Sequence, residues 1–492
     1  MLKIKNMFSR IVKLKYFEYF ALSTILVVGL VVRLYKIYNP IADWHSWRQA
    51  DTASVAREYV SNGINFLYPR YHDISTVQTG VFNPEGYRFV EFPILNSVNA
   101  WLVMYIGVFS LEVWGRLLSI MLALISAYML FLIGKRFIGV WGGILASFYF
   151  TFIPYNIYFT RVILPEPITV TLGLASLLLF INFIDKDDFK YLYTSGLFLS
   201  LAILTKPFVI FYSLPMLYLL WDKHGGFKKV FRTSRLLIPL LLFVDIVLIP
   251  FILWRWWMNK FPEGIPFWKW AFNGDKIRFK PSFWRWIFGE RIGSLILGAW
   301  GLIPFSFGLV SKYKKTYFNH FFFAGALAYV TIIASANVMH DYYQTIIIPA
   351  IALVLSQGTI HMWKNKLYNT WIVRSLLVLS LIVMFFTGAV KIREFYKINH
   401  PEIIKAGIVA DSIIPRNALV IAPYNGDTAF LYQTNRRGWP FMDRPIESLI
   451  EEGADYYISV NYDEVTREIM SKYSIEKQTD DFVVVRLNTS EE

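Results

Sequence analysis

The sequence predicts a polytopic α-helical membrane protein, with about eleven spans and a small α/β domain at its C-terminal end. Three observations predict it. Hydrophobic residues make up 55% of the 492 and charged residues only 17%, too apolar over too long a chain for an ordinary soluble protein. Apolar runs near the ~20 residues needed to cross a bilayer recur from residue 18 to residue 390. Beyond about residue 395 the runs become short, β-branched and aromatic, and the charge changes sign. There 10 Lys and Arg face 16 Asp and Glu, against 39 and 19 before it. The basic membrane part points to lipid headgroups and phosphate as partners, not to nucleic acid, for which no module is visible. With no cysteine, disulfides, thiolate metal sites and cysteine nucleophiles are excluded.

The spans read as 18–37, 114–134, 138–160, 166–184, 191–205, 207–221, 235–254, 291–311, 318–336, 343–361 and 371–391. The first lacks a small-residue cleavage site and reads as a retained signal anchor. The two around 191–221 are short and separated by Lys206-Pro207, as a broken pair would be. Lys and Arg mark the inner turns: Lys3, Lys5, Arg10, Lys13 and Lys15, then Lys135-Arg136, Lys186 and Lys190, then Lys223 to Arg235, then Lys312 to Lys315, then Lys364 and Lys366. That register puts the N-terminus in the cytoplasm of a plasma-membrane protein and the tail outside. The large external loops are 38–113 and 255–290. Within the first, 94–110 is apolar but would invert every later charge if it crossed, so it is expected to lie in the interface. Loop 255–290 is basic and rich in tryptophan, an exception that an anionic phosphate held at the surface would explain. The chain therefore divides into a membrane domain, 1–395, and an external domain, 396–492. In the latter, 418–424, 455–462 and 482–488 read as strands and 402–413 and 464–472 as helices.

The densest polar group is Asp43-Trp44-His45-Ser46-Trp47-Arg48-Gln49-Ala50-Asp51. Ser46 and Gln49 have capping-box spacing, predicting a helix from Trp47. On it Arg48 and Asp51 are i, i+3 neighbours, and Ala53, Ala56 and Val60 form an apolar face. An acid in the first turns stays ionised near the helix dipole and can take a proton. The plainer reading is an acid paired to Arg48. Glu91, Arg161, Glu166, Lys206, His340 and Tyr342 lie at other outer boundaries by the assigned topology. Singly each is weak, since a boundary Lys snorkels and Pro-Glu-Pro starts helices; their convergence on one face is the stronger signal. Arg33 and Arg116 are expected to snorkel. Asp245, in mid-span, is either functional or bonded to a neighbouring helix.

The segments His45 to Ala53 with Ala56-Arg57, Glu91-Phe92-Pro93, Gly115 to Ser119, Arg161 to Glu166, Leu204 to Pro207, and His340 to Tyr343 with Pro349 resemble the GT-C superfamily of integral membrane glycosyltransferases. The similarity is to the family 39-like branch of protein O-mannosyltransferases and the lipid A aminoarabinose transferase, and runs over about residues 15–391. The resemblance implies a GT-C fold, a polyprenyl-phosphate-linked sugar donor, and transfer to a lipid, glycan or protein acceptor on the outer face with inversion. It assigns Asp51 or Asp43 as base and Glu166 as the assisting acid. It makes Arg48, Arg161, Lys206 and Arg255 phosphate ligands, places His340 and Tyr342 near the donor, and brings Glu91 and His45 into the site. Many relatives carry an adjacent Asp-Glu pair where this chain has Arg48-Gln49. Some carry Glu-Lys-Pro-Pro where it has Glu91-Phe92-Pro93, so another cation must replace that lysine. No cofactor is called for, and a divalent metal is left open. The rival readings are a lipid or glycan transporter or flippase, and a non-catalytic membrane scaffold.

Overall fold

The structure, a computed structural model, describes residues 17–232, 234–314 and 316–487. Lys3, Lys5, Arg10, Lys13, Lys15 and Lys315, on which part of the predicted orientation rests, lie outside the described residues, as does Asn488. Helices follow the apolar runs. Among the described residues five are long and apolar enough to cross a bilayer: Leu111–Phe137, Glu166–Lys186, Arg235–Met258, Asp341–Lys364 and Thr370–Tyr396. Val140–Phe152, Phe189–Thr205 and Phe318–Ile332 are shorter apolar helices.

The elements that position the site are α1 (Phe17–Arg33), α2 (Ser46–Asn62), α3 (Ile94–Tyr105), α4 (Glu166–Lys186), α5 (Phe189–Thr205), α6 (Ser234–Met258) and α7 (Thr370–Ile392). α3 is too short to span and sets Leu95, Ser97, Asn99 and Ala100 inward, leaving Trp101, Met104 and Tyr105 exposed. α5 stops at Lys206, whose backbone is extended, and Pro207 opens a short 3-10 turn. That break follows from the ring of Pro207, which forbids a helical Lys206. The span expected over 291–311 is also broken. A π-helical stretch, Arg285–Ile296, ends in two left-handed residues, Gly298 and Ala299, before a new helix starts at Leu302. Gly298 lies so close to α7 that a Cβ there would meet the Met384 carbonyl at 2.3 Å.

A further expectation fails, and one of the two alternatives for Asp245 is removed. Arg33 and Arg116 do not snorkel: both are fully buried, Arg33 donating to Thr160 at 2.9 Å and Arg116 to the Ile37 carbonyl at 2.7 Å. Backbone and hydroxyl acceptors inside the fold replace water for them. Asp245 lies on the exposed face of α6, with no hydrogen bond to a neighbouring helix among the described residues.

The C-terminal region folds as an α/β unit with sheet order β2-β1-β3-β5-β4. The strands are β1 (Leu419–Ile421), β2 (Gly438–Trp439), β3 (Ala454–Ser459), β4 (Ser474–Gln478) and β5 (Val483–Arg486), and β1 is parallel to both β2 and β3. This unit does not stand apart from the segment 38–113. Asp73 bridges to Gly438 of β2, Ile74 joins the sheet's core, and Arg57 stacks 3.6 Å from the centre of the Tyr432 ring.

Candidate active site

α2 begins one residue earlier than its capping pattern predicts. His45 is left-handed (φ 56°, ψ 38°) and immediately precedes it. Ser46 is therefore already in the first turn, where its hydroxyl cannot cap. It turns to Asp427 at 3.4 Å, and the Gln49 amide donates to Asp43 at 2.7 Å. The predicted Arg48–Asp51 pair does not form either. Arg48 contacts Glu91, and Asp51 is held by Arg88 at 2.6 Å. The small residues Ala50, Ala53 and Ala56 let α2 pack against Ile41, Ile163 and Tyr432, which buries its polar residues as well.

A cavity of about 850 Å³ opens beside this helix. Arg48, Arg88, Lys206 and Arg255 all reach its wall. Three of them are matched by carboxylates: Arg48 by Glu91, Arg88 by Asp51, and Lys206 by Glu166. Arg255 has no carboxylate partner among the described residues; its guanidinium lies 5.6 Å from the centre of the Trp268 ring. Lys206 also sits over the Tyr343 ring at 4.3 Å. Elsewhere the wall is aromatic, with Phe208, Phe211, Phe251 and Trp270 extending it between the turn after Lys206 and α6. The wall thus joins four cations to a largely aromatic lining.

Burial alone would strip the charge from these groups, and their neighbours prevent it. Burial works against the Arg48 guanidinium, but Glu91, the Tyr342 hydroxyl, Asp51 and Glu166 together hold its proton more tightly than usual. Burial pushes the Glu91 carboxyl up, yet Arg48 and Lys206 pull it below the ordinary range, so it is ionised at neutral pH. Burial and the neighbouring His45 push His340 down to about 4. His340 is neutral at pH 7 and serves as an aromatic wall against Trp47, Trp270 and Tyr342, not as a cation for phosphate.

The structure thus brings together Arg48, Asp51, Glu91, Glu166, Lys206, Arg255, His340 and Tyr342. It separates Arg161 and Asp43 from them. Arg161, fully buried, lies 3.7 Å from Asp43, donates to the Lys36 carbonyl at 2.7 Å, and sits 5.0 Å from the centre of the Tyr396 ring. Neither Arg161 nor Asp43 lines the cavity. His45 Nε2 donates to Asp341 at 2.6 Å, and Asp341 also accepts from Trp44 and faces Arg291 at 3.5 Å. Arg88, Gln78, Asp341 and Asp427 are site residues that sequence reasoning missed. Asp341 was legible in the His340-to-Tyr343 segment. Arg88 stands alone between two aromatic residues with no spacing to mark it. No three His, Asp or Glu are grouped for a metal ion among the described residues. Each carboxylate at the cavity already faces an Arg or Lys, so these residues do not fit a divalent cation, and no step is built on one.

Residues 92–254 match the family model described as dolichyl-phosphate-mannose-protein mannosyltransferase. Over nearly its whole length the chain superposes on ArnT from Cupriavidus metallidurans in the apo state, with TM-score 0.65 and 13% identity, covering 94% of this chain and 97% of that one. The chain has the GT-C fold of these membrane glycosyltransferases. The same ArnT bound to undecaprenyl phosphate gives TM-score 0.61 at 13% identity, covering 95% and 98%. The Archaeoglobus fulgidus oligosaccharyltransferase gives 0.55 at 9% identity, covering 88% of this chain and 67% of that chain. At these identities the likeness is one of fold. No curated protein matches the chain by sequence. The GT-C fold and its apolar helices make this a membrane protein.

Proposed function

We propose that this GT-C protein transfers a sugar from a polyprenyl-phosphate donor to an acceptor at the outer face of the plasma membrane. The observation that carries the reading is one cavity lined by both cations and aromatic rings. A lipid phosphate needs an apolar wall for its chain and fixed cations for its head, and Arg48, Arg88, Lys206 and Arg255 share the wall with Phe208, Phe211, Phe251 and Trp270. The ArnT structure with undecaprenyl phosphate supports the same class of donor. Arg255, without an acid of its own, is the cation free to take phosphate charge, and it replaces the lysine absent after Glu91.

In this reading the acceptor oxygen attacks the anomeric carbon as the bond to the lipid phosphate breaks, inverting that carbon. The electron pair leaves with the phosphate, which the preorganised cations stabilise. Asp51 is the base. Its Oδ2 holds Arg88, while its Oδ1 accepts a hydroxyl proton from Thr428 at 2.7 Å. An acceptor hydroxyl in the place of Thr428 would hand its proton to the same oxygen. Glu166, deeply buried on Lys206, positions that cation.

The test uses the purified full chain. Undecaprenyl phosphate should bind in detergent and be detected by mass spectrometry of the co-purified lipid. A polyprenyl-phosphate sugar supplied with membrane glycolipid extract should be consumed, with release of polyprenyl phosphate. Movement of intact lipid between leaflets of a liposome, without consumption, would establish a flippase instead.

A further inference from the structure

A second cleft, of about 220 Å³, lies on the other side of Trp47 from the cavity, where the C-terminal unit meets the membrane domain. Trp44, His45 and Trp47 form one wall, and His400, Tyr424 and Asp427 face them. The loop Tyr424–Thr428 joins the two spaces. Asn425 (φ 53°) and Gly426 (φ 78°) are both left-handed, and this tight turn sends successive residues to different sides. Gly426 lines the large cavity, Asp427 lines the cleft, and Thr428 touches Asp51.

Asp427 differs from the carboxylates of the large cavity. One of its oxygens accepts the Ala429 backbone N–H at 2.7 Å; the other has only the Ser46 hydroxyl at 3.4 Å. No Lys or Arg pairs with it among the described residues. Opposite, Trp44 is held by its indole N–H on Asp341 and stacked on Phe395 (4.8 Å between centroids, 16°), yet 43% of it remains exposed. An open carboxylate facing a fixed, exposed indole suits a ligand with several hydroxyls and one apolar face, which is the chemistry of a sugar ring. The cleft is smaller than the ~300–1,000 Å³ of extended-ligand sites, so it suits one ring and not a peptide segment.

We propose that this cleft binds a sugar ring of a glycan-bearing acceptor, with Asp427 accepting hydrogen bonds from its hydroxyls and Trp44 packing on its apolar face. The C-terminal unit thereby supplies the acceptor-binding carboxylate, one residue from the hydroxyl that marks the attacking position at Asp51. This deepens the transferase reading and rests on it. Burial raises the Asp427 carboxyl to about 6, with Asp51 adding to the rise, which leaves it ionised at neutral pH.

Saturation-transfer NMR on the full chain in a sugar-free detergent tests this, with methyl α-mannopyranoside and methyl β-glucopyranoside as probes. Saturation is expected to reach the ring protons of at least one glycoside. It should fall about tenfold in Asp427→Asn, the loss of a charge-assisted hydrogen bond, and also in Trp44→Phe. It should persist in Arg255→Ala and in the presence of undecaprenyl phosphate. An unchanged signal in folded Asp427→Asn and Trp44→Phe, no wild-type signal with either glycoside, or an Asp427-dependent signal from a Ser/Thr peptide instead would overturn the assignment. Wild-type protein that fails to bind undecaprenyl phosphate would end the donor reading, while the glycoside result would still decide the cleft.

Discussion

Two clusters of buried charge flank α2, built from the same residue types and equally hidden from water. On the cavity side Arg48, Arg88 and Lys206 are matched by Glu91, Asp51 and Glu166, and each cation reaches open space. In the other cluster Arg161 and Arg116 lie near Asp43 and donate to the Lys36 and Ile37 carbonyls after α1, Arg33 donates to Gly29 and Thr160, and their side chains are fully buried. Several of their nitrogens, including Arg161 Nη1 and Arg116 Nη2, have no hydrogen-bond partner among the described residues. Charge and burial alone therefore do not mark a site. The cavity-side cations have room for a ligand that would complete their coordination, whereas the sealed ones act as struts fixing the α1 end, the first loop and the chain before α4. The most direct way to break this comparison is Asp51→Asn. It keeps the shape and removes the base, and turnover should fall about 10²- to 10⁴-fold while undecaprenyl phosphate still binds. Unchanged turnover in Asp51→Asn would move the base to another carboxylate.

The sealed cluster should respond in the opposite way. Arg161→Ala leaves Asp43 buried without its cation, which costs about 3 to 5 kcal/mol when one member of a buried pair is removed. The expected result is a lower unfolding temperature with turnover per folded molecule preserved. Weakened lipid binding by a protein of unaltered thermal stability would instead return Arg161 to the donor site. Arg255→Ala sharpens the contrast from the cavity side. Losing a hydrogen bond to a charged group costs about 1.5 to 3 kcal/mol, so undecaprenyl phosphate should bind roughly ten- to a hundredfold more weakly with the unfolding temperature unmoved.

The sequence made the membrane domain legible because apolar length is a local property, and the α/β tail because its period changes from helix-like to strand-like. Its motifs also marked much of the charged cluster at the cavity, since Asp51, Glu91, Glu166, Lys206 and Tyr342 fall in short motif segments. Pairing was not legible. Arg48 and Asp51 have helical spacing, yet their partners are Glu91 and Arg88, 43 and 37 residues away, set by how loop 38–113 folds over α2. Nor could spacing tell Arg161 from Lys206: both are boundary cations, and only their surroundings separate them, Lys206 on the cavity wall with Glu166 and Arg161 away from it with Asp43. Asp427 was hidden for a third reason. It belongs to a domain distant in sequence, brought to the site by the Asp73 bridge and by Arg57 on Tyr432.

The smallest expected effect is one of pH, and it compares the open carboxylate of the cleft with the paired ones of the cavity. Glu91 stays charged well into acid because Arg48 and Lys206 hold it below its ordinary range. Asp427 titrates near 6, with burial as the main cause, Asp51 adding to the rise, and Ser46 and His45 opposing it. Tyr424 shares its loop, and Glu394, Lys397 and His400 face it across the cleft. Because its folded value lies above the unfolded 3.8, the native state binds more protons between about 4 and 6. Its contribution to stability therefore grows as pH falls through that window and is lost above it. Glycoside binding should move the other way, weakening about tenfold between pH 7 and pH 5 as the acceptor oxygens are protonated. A loss of binding that coincides with acid unfolding would be nonspecific. A loss at pH 5 with the fold intact, absent from Asp427→Asn, is the outcome that assigns the titration to this carboxylate.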